Sequence, residues 1–155
     1  MKNKKEVGKA LGRVASGLYV VTAKCEDKED AVLASWVNQC SFDPPAVTIA
    51  LGTLRAARLL VEGAGGFIVN VLPQDDSTLL KHFSRPPEDM FKGVKTRKGL
   101  EGIRILTDAV AYLECEVVQA MQSGDHVLYI GEIVGGKTLK GGDPYIHVRD
   151  NGFSY

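Results

Sequence analysis

The chain has 155 residues, 45% of them apolar and 25% charged, and its 19 Lys plus Arg balance 19 Asp plus Glu, so the net charge is zero. A length near the usual size of one domain predicts a single domain over residues 1–155, able to bury a core without a disulfide or metal staple. Zero net charge excludes a broad electrostatic grip on nucleic acid or an acidic membrane, while leaving room for a local basic pocket.

The first residues, Met1-Lys2-Asn3-Lys4-Lys5-Glu6-Val7-Gly8, are charged and lack the apolar stretch of a secretory signal. No window reaches the ~20 apolar residues of a membrane span, so the expectation is a cytoplasmic protein. Val7, Leu11 and Val14 fall at i, i+4 and i+7 and predict a helix that Gly17 stops. Leu18 to Ala23 is β-branched and aromatic and reads as a strand. The acidic run from Glu26 to Asp30 is expected to be a solvated turn, with Ala31 to Val37 returning as the second strand. After the break at Phe42-Asp43-Pro44-Pro45, Ala46 to Leu51 is almost wholly apolar and predicts a third strand buried on both faces.

Arg55 to Glu62 predicts a short helix ended by Gly63-Ala64-Gly65-Gly66, and Phe67 to Leu72 a fourth strand. A helix is expected to start at Asp75-Asp76-Ser77 and run through Phe83, followed by a long irregular stretch from Ser84 to about Thr107. Tyr112 to Met121 and His126 to Val134 read as two long strands joined by the turn Gln122-Ser123-Gly124-Asp125. The tail from Tyr145 to Tyr155 adds a last short strand. Hairpin-length connections between six or more strands predict a mainly β protein, an antiparallel barrel with peripheral helices.

Cys25, Cys40 and Cys115 are odd in number and have no short spacing, which predicts reduced thiols and neither a disulfide framework nor a zinc knuckle. Cys115 falls in an apolar strand and reads as core; Cys40, at a strand end, is open to packing, ligand lining or a nucleophilic role. His82, His126 and His147 stand too far apart to suggest a metal set, so none is expected. Gly131 to Thr138 matches the phosphate-loop pattern G-x-x-x-x-G-K-[ST], but that loop needs a strand before it and a helix after it. Here the motif overlaps a strand and runs into Leu139-Lys140-Gly141-Gly142-Asp143-Pro144, so it is read as a coincidence.

The run Ala34-Ser35-Trp36-Val37-Asn38-Gln39-Cys40-Ser41 gathers neutral hydrogen-bonding groups around one Trp. It suits the rim of an uncharged planar ligand, and a solvent-facing edge strand would have the same composition. Arg55 and Arg58 share one face at a helix start, where guanidinium forks and the helix dipole favour a phosphate; a solvated basic helix end would look the same. His126 heads a strand after Gly124-Asp125, at a hairpin end where ligands dock, or is a plain turn residue.

The ordered set Gly17-Leu18-Tyr19-Val20-Val21-Thr22-Ala23, Ala34-Ser35-Trp36-Val37 with Ser41-Phe42-Asp43-Pro44-Pro45, Gly66-Phe67-Ile68-Val69-Asn70-Val71-Leu72, and Gly124-Asp125-His126 with Gly131-Glu132 resembles the flavin reductase family. It resembles most the flavin reductase-like domain appended to flavodiiron proteins of oxygenic phototrophs, over residues from about 6 to 148. The resemblance implies an FMN-binding split β-barrel working as a homodimer, with FAD the alternative flavin and NAD(P)H the electron donor. It implies that Ala34, Ser35, Trp36, Asn38, Gln39 and Ser41 line the flavin, that Arg55, with Arg58 second to it, meets its phosphate, and that Phe83 and Arg85 belong to a covering segment; Cys40, inside the same run, is counted with the flavin-lining residues. His126 is the expected catalytic residue. Ala56 and Ala57 depart from the hydroxyl or His that family members carry after the Arg55 position, and Pro86 to Met90 departs in the cover. The implied function is a flavin reductase passing electrons from NAD(P)H to flavin and on to an acceptor, which includes an electron-accepting partner protein. The alternative is a non-enzymatic FMN-binding electron carrier, or an interaction module on the same barrel.

Overall fold

The computed structural model describes residues 1–154. In chain order the elements are α1 (Lys4–Gly12), β1 (Ser16–Gly17), β2 (Tyr19–Cys25), β3 (Lys28–Ala34), β4 (Val37–Phe42), β5 (Pro45–Gly52), α2 (Ala56–Ala64), β6 (Gly66–Val71), α3 (Thr78–Ser84), β7 (Thr96–Lys98), β8 (Arg104–Leu106), β9 (Ala111–Ser123), β10 (His126–Thr138) and β11 (Ile146–His147).

Seven strands form one antiparallel sheet in the order β3-β2-β6-β9-β10-β5-β4. Its two edges, β3 and β4, are consecutive in the chain with only Ser35 and Trp36 between them. The sheet therefore curls until its edges share one corner but does not close, and the seam between them is the split of the barrel. The mainly β class with peripheral helices holds.

Alternation along the strands fills the inside. Val21, Val37, Ile49, Phe67, Val69, Cys115, Val127 and Tyr129 make the interior cluster, with Val61 of α2 added from outside the sheet. Full burial of such side chains stabilises by about 1.5–3 kcal/mol each. A second cluster of Leu18, Val20, Leu72, Leu79, Phe83 and Leu106 seats α3 against the opposite surface of the sheet.

Several elements differ from the sequence reading for local reasons. The second strand is β3, starting at Lys28, so Glu29 and Asp30 are half-buried strand residues and not solvated turn. Glu29 accepts from Arg104 Nε at 2.7 Å, which explains a carboxylate there. The polar run forms a strand of its own, β4, after the corner at Ser35-Trp36. In β5 burial alternates beyond the buried Ala46: Val47, Ile49 and Leu51 point inward while Thr48 and Ala50 are half-buried. The stretch 84–107 is less irregular than expected, because β7 and β8 pair in it. α1 ends at Gly12, well before Gly17, and its stripe residues Leu11 and Val14 are exposed; Gly8 and Gly12 are buried instead.

The phosphate-loop match lies wholly inside β10. A Cβ at Gly131 would come within 2.5 Å of the Phe67 ring and 2.9 Å of Cys115, so the glycine serves close packing across the barrel. Cys115 is fully buried, and burial, with Glu114 nearby, pushes its thiol up to about 12, as suits a core residue.

Candidate functional site

The split opens into a cleft of about 660 Å³. Its floor is β3 from Ala31 to Ala34 and then Ser35; one wall is Ala50 to Arg55, where β5 passes into α2. Leu80, Phe83 and Ser84 of α3 with Pro86 form the other wall, and Asp125, His126, Tyr145 and His147 stand at one end. A smaller hollow of about 380 Å³ lies against it, lined by Trp36, Asn38, Thr48, Ser123, Leu128 and again His126. Asp125 and His126 border both, at the head of the longest hairpin in the sheet.

The cleft has the size and apolar lining of a small-molecule site, with a few polar groups placed in it. The most telling of these is Ser35. It is 3% exposed, and its Oγ has no hydrogen-bond partner among the described residues. An unmet buried hydroxyl costs about 1–3 kcal/mol, and Ser35 carries this one in the lining of the cleft. A flavin ring, apolar on its faces and rich in heteroatoms on its rim, fits that donor set.

Arg55 stands at the cleft mouth as the residue before α2, with extended backbone (φ −81°, ψ 126°). Beside it the half-buried Asp30 accepts hydrogen bonds from the backbone N–H of Ala31, at 2.8 Å, and of Ala57. Burial raises the Asp30 carboxyl above the usual carboxylate range, against the pull of those amides and of the Arg55 charge. The start of α2 thus holds one cation and one carboxylate, and the sequence reading missed the carboxylate.

His126 Nδ1 lies 2.7 Å from Asp125 Oδ1. A carboxylate only accepts, so Nδ1 carries the proton and Nε2, beside Gly52, is left for a ligand. The same bond holds the exposed Asp125 carboxyl below its usual range. Residues adjacent along a strand face opposite ways, but Asp125 belongs to the turn and can reach back. The His126 ring packs against Trp36 with centroids 4.6 Å apart at 45°.

Of the residues read from the sequence, Ala34, Ser35, Arg55, Phe83 and His126 meet at the larger cleft. Trp36 and Asn38 line the hollow on the other side of His126. Gln39, Cys40 and Ser41 continue along β4 and line neither cavity; Gln39 and Cys40 are exposed, with a register shift between Gln39 and Ser41. Arg58 is turned away: it donates to Thr53 O at 3.3 Å and to Glu62 at 2.7 Å. Glu62 also accepts from the Tyr129 hydroxyl at 2.6 Å, and burial, then Glu62, pushes that phenol up to about 12. Arg85 is exposed just beyond α3 and lines neither cavity. Tyr145 and His147 were missed. The signal was present as polar and aromatic side chains alternating with Ile146 and Val148 along an extended tail.

The sequence profile of the flavin reductase like domain matches residues 11–154. The chain is 40% identical over 155 residues to diflavin flavoprotein A 1 of Synechocystis sp., an alignment covering 97% of this chain and 27% of that protein. It spans about a quarter of the length of the curated relatives it matches. Among solved structures it superposes on flavin reductase PheA2 with a TM-score of 0.80 and 27% identity, covering 96% of this chain and 94% of the other. The flavin reductase of styrene monooxygenase from Pseudomonas putida S12 gives a TM-score of 0.79 and 25% identity, over 90% and 91%.

Proposed function

We propose that this chain, which belongs to the flavin reductase-like family, binds FMN in the split of its barrel and transfers electrons to it from a reduced nicotinamide. The observation behind the reading is the Ser35 hydroxyl, buried without a partner in an apolar cleft that has Arg55 at its mouth and His126 at its end. Bound FMN would supply a ring that accepts hydride and releases electrons singly or in pairs.

The chain's own residues bind, orient and exclude water. Ser35 meets the polar edge of the ring, and the half-buried Leu33, Ala50 and Leu80 offer apolar surface to it. Arg55 meets the phosphate by a charge-assisted hydrogen bond, with Asp30 beside it restraining the guanidinium. His126, fixed through Nδ1 by Asp125, turns Nε2 to the flavin or the nicotinamide. Oxidoreductase activity of this kind fits the family. NAD(P)H as donor, FMN as the flavin, and delivery of electrons to a further acceptor are parts of the same proposal.

We also propose a homodimer. Leu54 at the cleft mouth is 98% exposed and Met121, paired with Leu128 in the sheet, is 57% exposed. A second copy would cover such apolar surface. The three cysteines are unpaired and no helix among the described residues is long and apolar enough to cross a membrane, which supports a reducing, cytoplasmic setting.

The decisive experiment is equilibrium dialysis with FMN followed by steady-state NAD(P)H oxidation with added flavin. Uptake of about one FMN per protomer with turnover is expected. Uptake without turnover would identify a non-enzymatic carrier, and no uptake at high micromolar FMN would overturn the reading.

A further inference from the structure

Residues 145–149 run extended beside the cleft, and burial alternates without a break from 145 to 150. Tyr145, His147 and Arg149 are half-buried while Ile146, Val148 and Asp150 are exposed. Tyr145 and His147 line the cleft, and Arg149 is the next residue on that face. Its guanidinium carbon lies 5.6 Å from the centroid of the Trp36 ring, the same ring that packs on His126. Three side chains from distant parts of the sequence thus meet in a row: Arg149, Trp36 and His126.

The backbone of Arg149 is held by α1. The N–H of Arg149 donates to Gly12 O at 3.1 Å, and that of Gly152 donates to Gly8 O at 2.7 Å. Gly8 and Gly12 are one helical turn apart and leave a groove in which the tail lies. A Cβ at Gly12 would fall 2.2 Å from Arg149 O, and one at Gly8 would fall 2.7 Å from Asn151 Oδ1. Phe153 closes the groove, with Lys4 Nζ 5.6 Å from its ring centroid. Beyond Arg149 the tail turns so that the carbonyls of Gly152 and Ser154 lie 3.5 Å from its guanidinium. The position of that cation therefore depends on the tail being seated on α1.

We propose that residues 149–153 are a strap, clamped by the glycine groove of α1, and that its Arg149 is a positioning residue for the Trp36–His126 pair. The cation restrains the Trp36 ring, and the ring sets how His126 presents Nε2 to the cleft. This rests on the assignment of His126 to the nicotinamide or flavin edge made above.

The test uses Trp36, the single tryptophan in the chain, as the probe. Acrylamide quenching of its emission is measured on the flavin-free protein, and stopped-flow reduction of bound FMN by NAD(P)H on the loaded protein, for Arg149→Gln, Gly12→Ala and the double variant. Each single variant is expected to raise the quenching constant about twofold and slow reduction about fivefold, with FMN affinity changed by less than about twofold. The double variant is expected to be no worse than either single, because both release the same strap. Arg149→Lys, which keeps the charge but not the planar stack, is expected to fall between wild type and Arg149→Gln. Wild-type quenching and rate in Arg149→Gln would overturn the proposal, as would effects that multiply in the double variant. If Gly12→Ala does not fold, Arg149→Gln decides alone. If the wild type reduces no flavin, the assigned activity fails, and the quenching constants still decide whether the strap holds Trp36.

Discussion

Ser35 and Cys40 belong to one polar run in the sequence, and the fold sends them to opposite environments. Ser35 lies at the corner where β3 hands over to β4, and it is 3% exposed with its hydroxyl unmet. Cys40 lies on the outer edge strand, open to solvent, at a shift in register with β5. The same division runs through the arginines at the start of α2. Arg55 faces the cleft beside Asp30, whereas Arg58 is engaged by Glu62 and Thr53. Polarity alone does not mark a ligand site. A polar group that is buried, or held at a cavity mouth, without its hydrogen bonds used up does mark one.

The sharpest way to break that division is to compare the two arginines. Arg55→Ala is expected to weaken FMN binding about 10- to 150-fold, the loss of one charge-assisted hydrogen bond of about 1.5–3 kcal/mol, and to leave riboflavin binding nearly unchanged. Arg58→Ala is expected to leave the ratio of FMN to riboflavin affinity unchanged, since its guanidinium is held by Glu62. Calorimetric titration of both variants with both ligands checks this. Equal losses for FMN and riboflavin in Arg55→Ala would remove Arg55 from the phosphate.

The next comparison separates binding from electron transfer. His126→Ala is expected to slow reduction of bound FMN by NAD(P)H about tenfold, while FMN affinity changes by less than about threefold, since it removes a contact made mainly by the reacting pair. Stopped-flow absorbance gives both numbers. An unchanged rate would make His126 a turn residue whose bond to Asp125 only shapes the hairpin.

These contrasts also show what the sequence could convey. The strands announced themselves, because β-branched alternation in β2, β6, β9 and β10 is a local property. The cleft was legible as far as it depends on residues flanking a turn: Ser35, Arg55 and His126 each sit where an element ends. Partners brought in from elsewhere were not legible. Asp30 looked like part of a solvated acidic run until α2 packed over β3 and offered it the Ala57 amide. Arg58 looked like a second phosphate ligand until the fold placed Glu62 one helical turn along and Tyr129 beside it. The α1 stripe misled for the opposite reason: its glycines, not its apolar residues, face the rest of the molecule.

Ser35→Ala sharpens the comparison through the sign of its effects. Removing an unmet buried hydroxyl is expected to raise the melting temperature of the flavin-free protein by about 2–4 °C, from about 1 kcal/mol of relieved desolvation. The same change is expected to weaken FMN about 3- to 10-fold, one neutral hydrogen bond of about 0.5–1.5 kcal/mol. A gain in melting temperature without FMN that shrinks to about nothing at saturating FMN is the expected outcome. A fall in melting temperature without ligand would mean that the hydroxyl is satisfied within the protein.

The smallest expected effect is at Cys40. Its side chain is exposed on an edge strand, lines neither cavity, and sits where the register with β5 slips, so no packing or ladder contact depends on the thiol. Cys40→Ser is therefore expected to keep stability within about 0.5 kcal/mol. FMN affinity is expected to stay within about twofold, measured by denaturant unfolding and by FMN titration at two protein concentrations. The second concentration matters because the outer half of β4 reaches a flavin only if another molecule brings one to it. A loss of affinity above about fivefold that appears only at the higher concentration would place Cys40 at a site shared between two copies. It would also move the boundary between the two polar groups from the corner at Ser35 to the interface of a dimer.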